Sequence, residues 1–307
     1  MKSKIINLSV LLPTYNRPNM VEQCLSNIAK QNYLPRETII LDQGHLDENL
    51  IKEWAQVLLP TKLVYKHLNI RGRSRAINAG VKIAKSEFMG VIDDDCYAHP
   101  KWIESLAKSI QKRNKTIVTG KVAVGKQEGG AVKVRDCVLE ELPKIYKRGK
   151  FIIPIFVLSG GNCCFRKKDF NNIGKFNTLL GVGAKFKSAE DVEWAYRALS
   201  KGYAIYYDHQ AIVTHRSWRN ESEDIKTMNN YGYGAGAFVS LIFPRDRVNS
   251  LYYGSKIVKW LFWEIFKSLI TLKNPKPFIK YLSGFIAGLF DMKKIRAKNS
   301  SSPKKQN

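Results

Sequence analysis

The chain has 307 residues, 44% hydrophobic and 25% charged, which suits one large domain with an appendage and excludes collagen-like, low-complexity and disulfide-scaffold classes. Its formal charge of +25 predicts a polyanionic neighbour, whether nucleic acid, an anionic membrane surface or a phosphorylated substrate. Five cysteines, with Cys163 and Cys164 adjacent and no repeated Cys-x-x-Cys, argue against a zinc site and for a reducing compartment.

Ile5–Leu12 is a short apolar run closed by Pro13 and reads as a buried strand. Pro18 opens a helix with Val21, Cys24, Leu25 and Ile28 on one face. Thr38–Leu41 is the next strand and ends in Asp42-Gln43-Gly44; a helix follows near Leu46–Leu58, then a strand at Leu63–Tyr65. Arg75–Ala84 is helical, and Phe88–Ile92 is a strand that runs into Asp93-Asp94-Asp95. Pro100 opens a helix with Trp102, Ile103, Leu106 and Ile110 on its core face, and Ile117–Val124 is extended. This alternation predicts an α/β fold with a Rossmann-like, mainly parallel sheet flanked by helices. Ligands of such sheets bind at the carboxyl ends of the strands, where Thr14-Tyr15-Asn16-Arg17, Asp42-Gln43-Gly44 and Asp93-Asp94-Asp95 fall together.

Farther on, Phe151–Leu158 reads as a strand, and Ser159-Gly160-Gly161-Asn162 as a tight loop. Ser188 is placed to cap a helix reaching about Lys201, with Glu190, Asp191 and Glu193 in its first turn. Tyr203–Tyr207 and Ala211–Thr214 resume strand character, and Tyr231–Gly236 is expected as a mobile loop over an acceptor, with close helix packing as the alternative. From Pro244 onward the chain holds 14 Lys or Arg against three acids. In Lys256–Leu272, Lys256, Lys259 and Lys267 project from one helical side, and Ile257, Val258, Leu261, Phe262, Ile265, Phe266 and Leu269 cover the other. A second apolar piece, Tyr281–Phe290, follows Pro275 and Pro277, and Lys293–Asn307 is expected to be disordered. No secretory leader and no apolar run of about 18 residues is visible, so the expected location is cytoplasmic, peripheral on the inner face of the membrane.

Three successive aspartates after a buried strand repel one another, and a hard divalent cation is the usual relief; an Asp-rich turn capping the Pro100 helix is the simpler alternative. Asp191 taken alone is equally a helix-start acid favoured by the dipole. The order of motifs adds more: VLLPTYNR at 10–17, ILDQG at 40–44, RGRSRAINAG at 71–80, GVIDDDC at 90–96, SGGNCCFRK at 159–167, GKFNTLLGVGAKF at 174–186, AEDVEWAYRAL at 189–199 and IVTH at 212–215. The series resembles the family 2 glycosyltransferases, inverting enzymes with the nucleotide-diphospho-sugar transferase (GT-A) fold, over roughly residues 5–236.

The resemblance implies a catalytic domain over 1–243, with a nucleotide-binding half (1–120) and an acceptor-binding half (121–243). Amphipathic membrane-associating helices over 244–292 and a basic tail over 293–307 would follow. It implies that Pro13, Thr14, Tyr15 and Arg17 line the nucleoside pocket, that Asp42 bonds the base, and that Arg71, Arg75 and Asn78 lie near the diphosphate and ribose. Asp93 and Asp95 would form an Asp-x-Asp motif for Mn2+ or Mg2+, with Asp95 the foremost ligand, His215 beside it and Asp94 next to the donor. Gly160, Gly161 and Asn162 would border the donor sugar, Asp191 would be the general base, and Glu190 and Trp194 would meet the acceptor. The donor implied is a nucleotide-diphospho-sugar; the acceptor, a saccharide or polyprenyl-linked one in cell-surface polysaccharide synthesis. One departure from the family pattern is Asp42-Gln43-Gly44-His45, where Asp-Asp-Gly-Ser is common. The rival classes are a metal-dependent nucleotidyl or phosphoryl transferase and a basic nucleic-acid-binding protein. The first lacks a phosphate-cradling glycine loop and the second a recognition motif, so no nucleic-acid partner is expected.

Overall fold

The structure is a computed structural model that describes residues 4–127, 129, 131, 141–149, 158–217 and 219–301. Strand and helix alternate through the first third as β1 (Lys4–Thr14), α1 (Pro18–Ala29), β2 (Tyr33–Asp42), α2 (Glu48–Val57), β3 (Lys62–His67), α3 (Arg73–Ile83) and β4 (Phe88–Ile92). Then come β5 (Cys96–Ala98), α4 (Trp102–Gln111), β6 (Thr116–Gln127), β7 (Lys144–Tyr146), β8 (Asn162–Arg166), α5 (Lys167–Ile173), α6 (Glu190–Ser200) and β9 (Ala204–Ser217). Three long helices follow: α7 (Glu221–Ile242), α8 (Arg247–Ile270) and α9 (Lys276–Ser301). All but the last residue of the strand expected at Phe151–Leu158 lies outside the described residues.

The described strands form one sheet in the order β3-β2-β1-β4-β8-β6-β9-β5, with β7 on β9. β1 runs parallel to β2 and β4, and β2 to β3, while β8 is antiparallel to both β4 and β6. Side chains of β1 alternate between the two covering layers: Leu8, Val10 and Leu12 pack with residues of α1, α2 and α4, and Leu11 with residues of α3, α5 and α6. Because β1 pairs in register with β2 as far as Thr14 and Asp42, and with β4 at Leu11 and Val91, the turns after all three strands open on one edge. The four described cysteines are buried and unbridged, packing as small apolar groups.

The Tyr231–Gly236 segment is not a loop but the middle of α7, which starts from a capping box between Asn220 and Glu223. Its glycines serve close helix packing. A Cβ on Gly232 would overlap the Tyr281 carbonyl and one on Gly236 that of Phe285, while Gly284 and Gly288 of α9 stand in the same relation to Asn229 and Tyr233. The two helices thus touch backbone to backbone, and the dispersion attraction of so close an approach offsets the poor helix propensity of glycine. Gly236→Leu should lower stability by about 3 kcal/mol. Gly254→Ala on α8, where a Cβ meets only Val239 at 3.7 Å, should be neutral or gain up to about 1 kcal/mol. Thermal unfolding of the two variants side by side checks this; an undisturbed Gly236→Leu would contradict the packing.

The boundary expected at 243 is not a break in packing. Tyr253, Ile257 and Leu261 of α8 and Phe278 and Phe285 of α9 share a core with Phe238 and Val239 of α7 and with Ala189, the residue before α6. Met292 of α9 packs against Leu180, Phe186 and Ala237. α9 also runs on through 293–301, part of the segment expected to be disordered, because it continues the turns that hold Met292; residues 302–307 lie outside the described ones.

Candidate active site

At the carboxyl edge of the sheet, the three carboxylates after β4 take separate directions. Asp93 is half-buried and accepts a hydrogen bond from Arg73 Nε at 2.9 Å. Asp94 is buried and accepts from Thr14 Oγ1 at 2.7 Å and from Arg17 Nη1 at 3.1 Å. Burial and the adjacent Asp95 outweigh those partners and push the Asp94 carboxyl up to about 6. Asp95 faces His215, with Nε2 3.7 Å from its Oδ1, and Arg17 Nη1 stands 3.5 Å from its other oxygen.

Sheet pairing brings His215 there: in β9 it lies opposite Cys96, the first residue of β5. Its Nδ1 donates to the Arg216 carbonyl at 2.8 Å, which leaves Nε2 as the nitrogen turned toward Asp95. A carboxylate oxygen and an imidazole nitrogen converging in this way fit a divalent cation such as Mn2+. The Cys96 thiol lies in the same cluster, but burial and the neighbouring aspartates hold it protonated, so it is no ligand for a hard ion.

Arg73, the first residue of α3, joins two acidic elements. Beyond Asp93 it donates through Nη1 to Glu190 Oε1 at 3.2 Å, and its Nη2 is buried without a partner among the described residues. Burial opposes its charge, yet Asp93, Glu190 and Asp191 together raise its pKa and keep it protonated. Ahead of Glu190, Ala189 adopts the left-handed conformation (φ 70°, ψ 16°) and stands as the N-cap of α6. That geometry costs a non-glycine residue about 1 kcal/mol or more, a strain of the kind that functional sites retain. Ser188 does not cap the helix; its hydroxyl donates to the Asn230 carbonyl of α7 at 3.1 Å. Asp191 is half-buried, with Oδ2 accepting from Gly160 N at 3.2 Å and Oδ1 from Val192 N at 2.8 Å. Burial raises the pKa of Glu190, with the charge of Asp191 adding to it, and burial raises that of Asp191 too, with Arg73 opposing both. A Cβ on Gly160 would press on Arg73 and Asp191, and one on Gly161 on Asp93, so the bare backbone of this loop lets both carboxylates approach.

Several side chains expected on the surface of the site belong instead to its frame. Asp42 is fully buried and accepts from Gly44 N, Leu46 N and Tyr65 Oη, so it shapes its turn and does not reach a base. Gln43 accepts from Gly72 N and ties that turn to α3. Pro13 and Thr14 are buried, and Thr14, like Arg17, holds Asp94, which is thereby withdrawn from a donor. Both atoms of the Asn78 amide group are bound by the Phe176 backbone. Asn162 accepts from Trp102 Nε1 and donates to the carbonyls of Lys121 and Ala211, with no exposed surface left. Trp194 is fully buried among Phe165, Phe170 and Phe176, its indole N–H given to Gly174, so it cannot meet an acceptor. Glu190 is buried behind Arg73 and is likewise closed to one. Asp93, expected as a metal ligand, is turned to Arg73.

What stays open at the edge is Tyr15, Arg17, Arg71, Arg75, Asp93, Gly161, Asp191 and His215. The Arg71 guanidinium lies 3.8 Å over the Tyr15 ring, a flat cationic plate at the mouth. Arg73 is the residue the motif reading passes over. Three arginines alternate at 71, 73 and 75, and only the start of α3 decides that the middle one turns inward.

A family model described as Glycosyl transferase family 2 matches residues 9–174. The chain is similar to glycosyltransferase AglE of Haloferax volcanii, 26% identical over 228 residues, 70% of this chain and 68% of AglE. It is 29% identical over 114 residues to glycosyltransferase GlyG of Streptococcus pneumoniae, which takes in 37% of this chain and only 38% of GlyG. Among solved structures, mannosyltransferase PcManGT from Pyrobaculum calidifontis, in complex with GDP-Man and Mn2+, has a similar fold: TM-score 0.59, 15% identity, 96% of this chain and 79% of that one.

Proposed function

Since this chain belongs to glycosyltransferase family 2, and with its GT-A fold is a glycosyltransferase, we propose that it moves a sugar with inversion from a nucleoside diphosphate to a hydroxyl of a saccharide acceptor. One observation carries the proposal: the acidic edge is divided into two stations, Asp95 with His215 and Asp191 with Glu190, with Asp93 of the same turn as Asp95 tied to Glu190 through Arg73.

The chemistry a divalent cation supplies at Asp95 and His215 is neutralisation of the charge on the departing nucleoside diphosphate. The remaining work falls to the chain itself. Tyr15 under Arg71 offers a face for the base, and Arg71 and Arg17 bring positive charge to the diphosphate. Asp191 takes the proton of the acceptor hydroxyl. Its raised pKa makes it a stronger base than an ordinary carboxylate, and Arg73 keeps it ionised. Glu190 holds Arg73 in place from behind. Inversion requires no enzyme-bound nucleophile, which agrees with the buried thiols nearby: burial pushes Cys163 up to about 12.

GDP is the first nucleotide to try, because PcManGT binds GDP-Man. In a thermal-unfolding panel of nucleoside diphosphates, the matching one should stabilise the protein by about 2.7 kcal/mol at a hundredfold excess over its Kd. The gain should shrink when Mn2+ is left out. If no nucleoside diphosphate raises Tm with Mn2+ present, the donor class is wrong.

A further inference from the structure

α8 is apolar on two opposite sides. Tyr253, Ile257 and Leu261 face the core shared with α7 and α9. On the outward side Phe262, Trp263, Phe266, Leu269 and Ile270 recur at helical spacing, with Phe262 67%, Trp263 60% and Phe266 56% exposed. The single apolar face expected from the sequence is therefore divided, because α7 and α9 cover only one half of it. Trp263 and Phe266 have their rings 6.3 Å apart, and Lys256, Lys259 and Lys267 are all exposed along the same helix. A helix apolar on both sides is one that is covered on both sides. Large clustered side chains left in water mark an interaction surface. α9 adds exposed Ile279, Ile286 and Phe290 beside Lys280, Lys293 and Lys294.

We propose that the outward face of α8 docks on an anionic lipid bilayer and that the acceptor is accordingly lipid-linked; this second half rests on the glycosyl-transfer proposal above. Charge selects the bilayer over a second copy of the chain. The segment from Pro244 carries 14 Lys or Arg against three acids, so two such faces repel each other, whereas anionic headgroups neutralise them. The residue types agree: Trp and Phe settle at headgroup depth, and lysine stems reach past apolar surface to the phosphates. No described helix is long and apolar enough to cross a membrane, so α8, with its 24 residues, lies along the surface. Its inner face carries the consequence to the site. Ile257 and Leu261 share their core with Ala189, the N-cap before Glu190 and Asp191, and Ser188 is bonded to α7. Docking therefore sets the base of the reaction close to the plane in which a lipid-linked sugar is presented.

Flotation of the full-length protein at low salt tests it, with phosphatidylcholine vesicles alone and with vesicles containing phosphatidylglycerol. F262S/W263S/F266S and K256E/K259E/K267E are compared with wild type, and thermal unfolding of each variant checks that these exposed substitutions leave the fold intact. Wild type should float with the anionic vesicles only, and the bound fraction should fall about tenfold or more in either variant. Wild type that stays at the bottom of the gradient overturns the proposal, as does an F262S/W263S/F266S protein that floats unchanged. A wild-type dimer that ignores vesicles and dissociates in that variant assigns the face to a second copy instead. Flotation reads binding alone, so a failure here leaves glycosyl transfer standing, and an inactive enzyme that floats leaves the docking face standing.

Discussion

Asp95→Ala is expected to cut donor turnover by roughly a thousandfold or more while the protein stays folded. Metal assistance to a departing phosphate group is worth several kcal/mol of barrier. The variant keeps His215 Nε2 but places it opposite Arg17 with no carboxylate between them, a pairing that repels a cation. Stability should not suffer in proportion. Asp95 is buried beside Asp94, and its charge is the second cause, after burial, of the raised Asp94 pKa, so its removal relieves repulsion. Calorimetric titration with Mn2+ alongside turnover of the nucleotide sugar checks both parts: binding of the ion and the reaction should fall together. Turnover near the wild-type rate would remove Asp95 from the site's chemistry.

Asp191→Asn is the second large effect. An asparagine oxygen can still accept the Gly160 N–H, so donor binding should be almost unchanged, while transfer to an acceptor falls about a hundredfold or more for want of a base. The wild-type pH profile gives an independent readout. Burial raises both carboxyls of the Glu190–Asp191 pair, and the base acts only when unprotonated. Transfer should therefore climb with pH along a limb displaced above the ordinary carboxylate range, and the residual activity of Asp191→Asn should lose that limb. Should Asp191→Asn transfer sugar at the wild-type rate, Asp191 is not the base.

The strand ends were legible because a buried apolar run followed by polar turn residues has few other meanings, and Thr14, Asp42 and Asp93 all end such runs. A motif gives a residue's place along the chain but not the partners that claim its side chain. Asn162 is engaged by Trp102, Lys121 and Ala211, three residues from three other parts of the sequence, and nothing local announces them. Trp194 sits in the same short motif as Asp191 and, three positions on, on the same side of α6, yet it lies one turn deeper, where Phe165, Phe170 and Phe176 close over it. The Asp95–His215 pair depends on β5, whose three residues are too few to show a period. α7 was illegible for a different reason: Gly232 and Gly236 count against a helix until α9 is there to pack on them, and Gly234 until Ser188 is.

That dependence of α7 on α9 bears on when a newly made chain becomes an enzyme. Tyr15, Arg17, Arg71, Arg73 and the Asp93–Asp95 turn all lie in the first hundred residues, just beyond the ends of strands that belong to one run of neighbours in the sheet. The bracket for Ser188 and Ala189 comes from α7, and α7 is closed by α9, which lies later in the chain than either. During synthesis, which folds chains from the N-terminus, the Asp93–Asp95 turn and its arginines are made well before Glu190, which holds Arg73, and His215, which meets Asp95. A chain without α9 would leave Gly232 and Gly236 of α7 without the backbone they pack on, and so would loosen the helix that brackets Ser188 and Ala189.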